Sequence, residues 1–337
     1  MSPGVERDSR GQVEDEADPA VVRTLDPDQA RCLAELTLQL AGAASGSVDD
    51  PAWVKEVRHG WERFPTGVRT TVRDFRRASG PQGVLLLRGL PVGEAELPPT
   101  PRVASSVQRV ATPAAALLVA VACGLGDPAA FRAEKSGALV QDVVPVPGQE
   151  EVQGNVGSAR LSFHSENAFH AHRPDFVQLL CLRRDHLGVS GLQTACVRTV
   201  LPLMAEKTAA VLFEPRFITA PPPSFGVGGS LTRAHAVLTG AVDDPDLRVD
   251  LSATEALDDE AERALAELGE LFERTAQTVR LRPGDLAIVD NRVTVHGRTS
   301  FRPRYDGRDR WLQRTFACTD LRRSRELRPG DGYVMAE

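Results

Sequence analysis

Three residues of this chain, His164, Glu166 and His296, have the types and spacing to hold a redox metal. The segment Leu161-Ser162-Phe163-His164-Ser165-Glu166-Asn167 contains a His-x-Glu. On a strand, residues i and i+2 project from the same face, so His164 and Glu166 can reach one ion. A third ligand must come from elsewhere. His296 is the best placed, in the run Ile288-Val289-Asp290-Asn291-Arg292-Val293-Thr294-Val295-His296-Gly297-Arg298. Two histidines and a carboxylate on one face leave open positions on the metal. Such a facial set suits iron(II), which must take a bidentate 2-oxo acid and then dioxygen. The carboxylate fills the place a halide would need, so the set favours hydroxylation over halogenation.

Other histidines compete for the role. His59, His170, His172, His186 and His235 are conceivable ligands. His170 and His172 follow the motif closely, but nothing distal supports them and both read as structural. The downstream pattern favours the first set. After His296 comes the turn-rich stretch Arg302-Pro303-Arg304-Tyr305-Asp306-Gly307-Arg308-Asp309, and a strand begins at Arg310. Fourteen residues separate His296 from Arg310, enough for a strand to leave, turn and return beside the metal. Arg310 could then clamp the distal carboxylate of 2-oxoglutarate with a bidentate pair. Arg314, four residues on, shares that face and could bind a second carboxylate. Arg302, Arg304 and Arg308 read as a solvated hairpin.

These residues need elements to position them. Asp26 is a plausible cap for a helix with Ala30, Leu33, Leu36 and Leu40 at helical spacing. A second helix fits 66–78, an alanine-rich buried helix fits 103–124, and another fits 254–275. The run 83–89 reads as a buried strand between glycines. From about residue 138, strand patterns dominate: 139–145, 160–166, 175–183, 193–198, 235–240, 246–251, 277–282, 285–290, 293–298 and 311–318. Many short strands with Gly/Pro turns and few helices predict a mainly β fold, a double-sheet barrel or sandwich with flanking helices. Residues 219–232 are rich in Pro, Gly and Ser, and read as a long loop able to cover a site. Residues 1–20 are charged and nearly free of large apolar side chains, which predicts a disordered tail.

Composition narrows the function classes. The 337 residues carry 40 Lys+Arg against 46 Asp+Glu, a formal charge of −6, which argues against nucleic acid as a partner. Cys32, Cys123, Cys181, Cys196 and Cys318 are scattered and never form a CxxC pair, so reduced, buried thiols are expected rather than a disulfide frame. The N-terminus lacks an apolar signal core and no apolar run is long enough to span a bilayer. A cytoplasmic protein without membrane partners is the expectation. The sequence carries no signal for oligomeric state.

The chain resembles the clavaminate synthase-like iron(II)/2-oxoglutarate oxygenases, and within them the amino-acid β-hydroxylases acting on arginine or asparagine. The matching pieces are His164-Ser165-Glu166-Asn167-Ala168-Phe169-His170, Arg282-Pro283-Gly284-Asp285-Leu286 with Val289-Asp290-Asn291, His296-Gly297-Arg298, and Tyr305-Asp306-Gly307-Arg308-Asp309-Arg310-Trp311-Leu312-Gln313-Arg314. The resemblance covers roughly residues 26–320. It implies a double-stranded β-helix (jelly-roll) core at about 80–320 and a helical part at 26–78. Both would belong to a single oxygenase domain, 21–337, with 219–232 as lid loop. His164, Glu166 and His296 would hold iron(II), and Arg310 and Thr194 would contact 2-oxoglutarate. Arg314 would pair with the substrate α-carboxylate and Glu134 with the α-amino group. Asp250 and Asn155 would meet the rest of the substrate.

The implied reaction is hydroxylation of a free L-amino acid at C3, with 2-oxoglutarate and dioxygen as co-substrates, in specialised-metabolite (antibiotic) biosynthesis. The side chain would be basic or an amide: arginine-like, citrulline, lysine or asparagine. Arginine hydroxylases tend to carry two acids near Asp250. Here Arg248-Val249-Asp250-Leu251-Ser252 holds one, which weighs against a guanidinium, because a buried cation wants paired acids. The alternatives are the same chemistry on a modified, peptide or carrier-bound amino acid, a jelly-roll metal enzyme without 2-oxoglutarate, and a non-catalytic scaffold.

Overall fold

Residues Val84–Arg88 show how the sequence builds layers. Leu85 and Leu87 join a core cluster with the N-terminal helices, whereas Val84 and Leu86 join the cluster on the opposite face. Alternation along one strand therefore assigns each side chain to one of two apolar layers. The computed structural model describes residues 22–42, 46–222, 225 and 232–336. The tail 1–20 lies outside the described residues, as do 223–224 and 226–231 of the expected lid loop.

The strands are β1 (Val22–Thr24), β2 (Val84–Arg88), β3 (Asp127–Phe131), β4 (Gln141–Val143), β5 (Leu161–His164), β6 (Phe176–Arg183), β7 (Leu192–Cys196) and β8 (Phe217–Thr219). They continue with β9 (Leu238–Gly240), β10 (Pro245–Leu247), β11 (Thr254–Ala256), β12 (Gln277–Val279), β13 (Leu286–Asp290), β14 (Thr294–Arg298), β15 (Trp311–Cys318) and β16 (Val334–Met335). The helices are α1 (Pro27–Ala41), α2 (Pro51–Trp61), α3 (Thr66–Arg77), α4 (Pro113–Leu125), α5 (Val197–Val200), α6 (Glu206–Leu212) and α7 (Asp259–Thr275).

The larger sheet runs β1-β2-β13-β6-β15-β3-β16, with β4 also on β15. The smaller runs β12-β7-β14-β5. Helices α1 to α4 cover one face of the larger sheet through Leu33, Trp61, Val72 and Leu118, packed with Leu180 and Ile288. The other face carries Val177, Leu179, Ala287, Leu312 and Phe316, which cluster with Leu192 and Val279 of the smaller sheet. Leu268 and Phe272 of α7 cover the smaller sheet's far side against Phe163, Ala195 and Val295. The order is helices, sheet, shared core, sheet, helix: two facing sheets with flanking helices, as expected, but with at least as many residues in helices as in strands rather than a mainly β chain. Among the described residues no helix is long and apolar enough to cross a membrane.

Local signals explain most element ends. Helix α1 starts where expected, on a capping box between Asp26 and Gln29. The alanine-rich helix does not begin at 103. Thr112 caps it and Pro113 occupies its first turn, and a proline disfavours helical backbone in the residue before it. Likewise α7 starts at Asp259, because Asp258 caps it and Thr254–Ala256 pairs with β8 instead. Helix α2 is an addition to the expected set. Its signal, Asp50-Pro51, is a cap followed by a first-turn proline.

All five cysteines are free. Cys181, Cys196 and Cys318 are buried as expected, Cys123 is half-buried, and Cys32 is exposed, a correction to the expected burial of all five. Cys32 sits in the outward face of α1, next to buried Leu33. Burial pushes the Cys123, Cys181 and Cys318 thiols up to about 12.

Helix α4 packs so closely on α2 that Gly124 has no room for a side chain. A Cβ there would lie 2.3 Å from the ring of Trp61, which is buried and packed on Phe64. Gly124→Ala is expected to lower the unfolding free energy by about 1–3 kcal/mol through overpacking, despite alanine's better helix propensity. Urea denaturation checks this; a variant as stable as wild type would show that Trp61 can yield.

Candidate active site

Strand register brings the two histidines together. His164 ends β5 and stands directly opposite His296 on β14. Residues opposite each other in an antiparallel pair point to the same side, and the two rings lie 4.4 Å apart between centroids. The register shifts between His296 and Arg298, where Ser162 and Phe163 of β5 face Gly297 alone, so β5 bulges here. Gly297 permits this crossing, since a Cβ on it would lie 2.5 Å from the Leu161 carbonyl oxygen. The Nδ1 of His164 lies 2.9 Å from the Ser162 carbonyl oxygen. With Nδ1 protonated and donating to that carbonyl, Nε2 is left with a lone pair for a metal.

Glu166 lies two residues beyond the end of the strand. Its backbone is held by Asn291, whose Oδ1 accepts from the Glu166 N–H at 2.7 Å and whose Nδ2 donates to its carbonyl at 3.1 Å. Nδ2 also donates to the Pro174 carbonyl at 2.8 Å. Asn167 then takes a left-handed backbone, φ 52°, which asparagine tolerates better than most residues, and the chain turns away. Ligand atoms of His164, Glu166 and His296 all lie within 4.8 Å of one another. A metal bonded at about 2.1 Å to each donor fits such spacings.

The charges around the trio are buried and arranged with care. Arg314 on β15 donates through Nη1 to both Glu166 oxygens at 3.1 Å. Through Nη2 it donates to Glu134 and Gln141. Burial alone would raise the Glu166 carboxyl, but Arg314 and the neighbouring histidines outweigh it and hold it well below the usual range. Burial, and the like charge of Glu166, raise Glu134. Burial, then the neighbouring His164, lower His296, which stays neutral and fit to coordinate.

Arg310 is different. Burial lowers it to about 10, so it remains a cation at neutral pH. Among the described residues it makes no hydrogen bond or ion pair, and its guanidinium lines the same cavity as the trio. A buried cation without an anion is costly, and a ligand carboxylate would resolve that cost. Arg298 lines this cavity too; burial, and Arg310 nearby, lower it to about 9.

The remaining expected residues fall in different relations to the cavity. Asn155 lines it. Glu134 reaches it through Arg314. Thr194 is buried on β7, directly opposite His296. Asp250 bridges His164 through its backbone, and its Oδ1 accepts from the Ser252 N–H and hydroxyl. His170 packs edge-on against Phe131 and accepts from the His172 N–H through Nδ1, consistent with a structural role. His235 contacts the Ala236 carbonyl and the Thr219 hydroxyl. His186 pairs with Asp306 and Asp309 and ties down the turn ahead of Arg310. Arg302, Arg304 and Arg308 are exposed as expected. Sequence reasoning missed the bond set of Asn291, the partner Gln141 and the buried Arg298.

Two facing imidazoles with a carboxylate, an unpaired buried arginine beside them, and a two-sheet frame define a non-haem iron oxygenase. The comparisons agree. Residues 234–316 match the family described as "Taurine catabolism dioxygenase TauD, TfdA family". The L-asparagine oxygenase of Streptomyces coelicolor is 60% identical over 312 residues, 93% of this chain and 94% of that protein. Clavaminate synthase 2 of Streptomyces clavuligerus is 34% identical, over 80% of this chain and 83% of that protein. A crystal structure of asparagine oxygenase with Fe(II), 2S,3S-3-hydroxyasparagine and succinate superimposes with a TM-score of 0.92 at 59% identity. It covers 94% of this chain and 99% of that one. The oxygenase OrfP with Fe and alpha-ketoglutaric acid gives 0.84 at 31% identity, over 94% of this chain and 100% of that one.

The chain belongs to the TauD/TfdA family, among its clavaminate synthase-like amino-acid oxygenases. It is an iron(II)- and 2-oxoglutarate-dependent dioxygenase.

Asn291→Ala removes three buried hydrogen bonds and frees the Glu166 backbone. The variant is expected to lose about 2–4 kcal/mol of stability and to bind iron(II) about tenfold more weakly. Denaturation and metal competition would measure both; unchanged iron affinity would show that Glu166 needs no such support.

Proposed function

We propose that this enzyme hydroxylates free L-asparagine at C3, giving 3-hydroxyasparagine, succinate and carbon dioxide from the amino acid, 2-oxoglutarate and dioxygen. The observation that carries it is the buried pairing of Arg314 with Glu134 beside the histidine–carboxylate trio. A cation and an anion side by side match the α-carboxylate and α-ammonium of a free amino acid. An amino acid esterified to a carrier has no free α-carboxylate to offer Arg314.

In this reading His164, Glu166 and His296 hold the iron. Iron(II) with 2-oxoglutarate and dioxygen supplies an oxidant strong enough to break an unactivated C–H bond. Arg310 binds the distal carboxylate of 2-oxoglutarate, with the Thr194 hydroxyl as a second contact. Arg314 and Glu134 fix the backbone of the amino acid, so that the distance from Cα to the metal selects C3. Positioning of this kind is the protein's main catalytic contribution.

Asn155 and Asp250 are proposed to read the side chain. An uncharged amide needs one donor and one acceptor, which an amide and a carboxylate provide together. A guanidinium would ask for more negative charge than Asp250 alone offers. The asparagine oxygenase relative, with 3-hydroxyasparagine in its structure, supports the same choice. The two facing sheets further support a jelly-roll core within one oxygenase domain at 21–337, and the product suits specialised-metabolite biosynthesis.

The test is anaerobic loading with iron(II), then a panel of free L-amino acids with 2-oxoglutarate and air. L-Asparagine is expected to gain one oxygen in step with succinate, ahead of arginine, citrulline and lysine. Turnover of arginine but not asparagine would overturn the substrate. Arg310→Ala should raise the KM for 2-oxoglutarate at least about thirtyfold, as loss of a buried charge partner costs about 2–5 kcal/mol. An unchanged KM would remove Arg310 from the co-substrate site.

A further inference from the structure

Arg298 is a buried cation that the roles above leave unused. It follows His296 by two residues and its guanidinium stays inside the protein, 4% exposed. Nη1 donates to the Gly154 carbonyl at 3.1 Å and Nη2 to the Ala159 carbonyl at 2.9 Å. The Phe301 N–H donates to the Ser158 carbonyl at 3.0 Å. These bonds grip the segment between β4 and β5 on both sides of Asn155.

The other side of Arg298 faces the co-substrate arginine. The guanidinium carbons of Arg298 and Arg310 lie 5.7 and 5.6 Å from the centroid of the same Phe301 ring. Among the described residues neither has a carboxylate partner. Two like charges in a water-poor site repel, and that repulsion falls when a dianion arrives. The bonds from Arg298 to its two carbonyl acceptors are then no longer opposed by that repulsion, and the Asn155 segment is held more firmly.

We propose that Arg298 is a positioning residue coupling the two ligand sites: 2-oxoglutarate at Arg310 tightens Arg298's hold on the Asn155 segment and so raises affinity for the amino acid. This rests on the proposed function. Coupling of this kind is reciprocal, so the amino acid must tighten 2-oxoglutarate by the same factor.

The experiment is calorimetric titration of the anaerobic iron(II) enzyme with L-asparagine, with and without saturating 2-oxoglutarate. Hydrogen exchange of amides 154–159 is followed in parallel. In the wild type, 2-oxoglutarate is expected to tighten L-asparagine about tenfold and to slow exchange in that segment. Arg298→Gln should still bind 2-oxoglutarate, but reduce the coupling to less than about twofold and leave exchange unresponsive. Arg298→Lys, which keeps the charge but not the fork, should fall between them. A merely structural role would weaken asparagine equally with and without 2-oxoglutarate. Coupling retained in Arg298→Gln, or absent from the wild type while both ligands bind, overturns the inference alone. Failure of the wild type to bind 2-oxoglutarate overturns the proposed function as well. If Arg298→Gln does not fold, the wild-type coupling and exchange and the Arg298→Lys variant still decide.

Discussion

Glu166, Arg298, Arg310 and Arg314 are four charged side chains buried in or beside the seam between the two sheets. Burying charge is among the costliest things a fold does, unless each charge finds a partner. Glu166 and Glu134 share Arg314, so each charge of that triad has a partner. Arg310 has no such partner, and Arg298 has only carbonyls. The excess is positive, and it sits at the place proposed above for the doubly negative co-substrate. Much of the surrounding architecture serves to keep this imbalance dry and in place.

The frame does so through registry. Because His164 stands opposite His296, a slip of one residue between β5 and β14 would turn one imidazole to the far face. The bulge opposite Gly297 and the bond set of Asn291 guard against that slip from two directions. Asn291 follows β13 of the larger sheet and grips a residue just past β5 of the smaller one. The two sheets thus share responsibility for the carboxylate, and α4 and α7 cover the sheets from outside.

Much of this was legible in the sequence, for identifiable reasons. His164 and Glu166 were read as neighbours from a two-residue strand period, but β5 ends at His164 and the turn held by Asn291 is what brings Glu166 to it. Helix α1 could be read from its cap. The start of α4 was misplaced because alanine-rich composition extends the helical pattern, while Pro113 alone decides the boundary. Helix α2 is short and mixed in polarity, and only Asp50-Pro51 marks it. The roles of Glu134 and Arg314 came from resemblance rather than from spacing. The grip of Asn291 on Glu166 was invisible because it joins a side chain to a backbone 125 residues away. No periodicity records such a bond.

The cysteines have a bearing on how the enzyme survives its own chemistry. A protein that handles dioxygen at iron is exposed to stray peroxide whenever turnover misfires. Peroxide attacks the thiolate, not the thiol. Cys181, which shares a small cavity with Arg310, is held as the protonated thiol far above neutral pH, and so are Cys123 and Cys318. These buried thiols are therefore poor targets for peroxide, while the exposed cysteine, Cys32, sits on a solvent-facing helix away from the core.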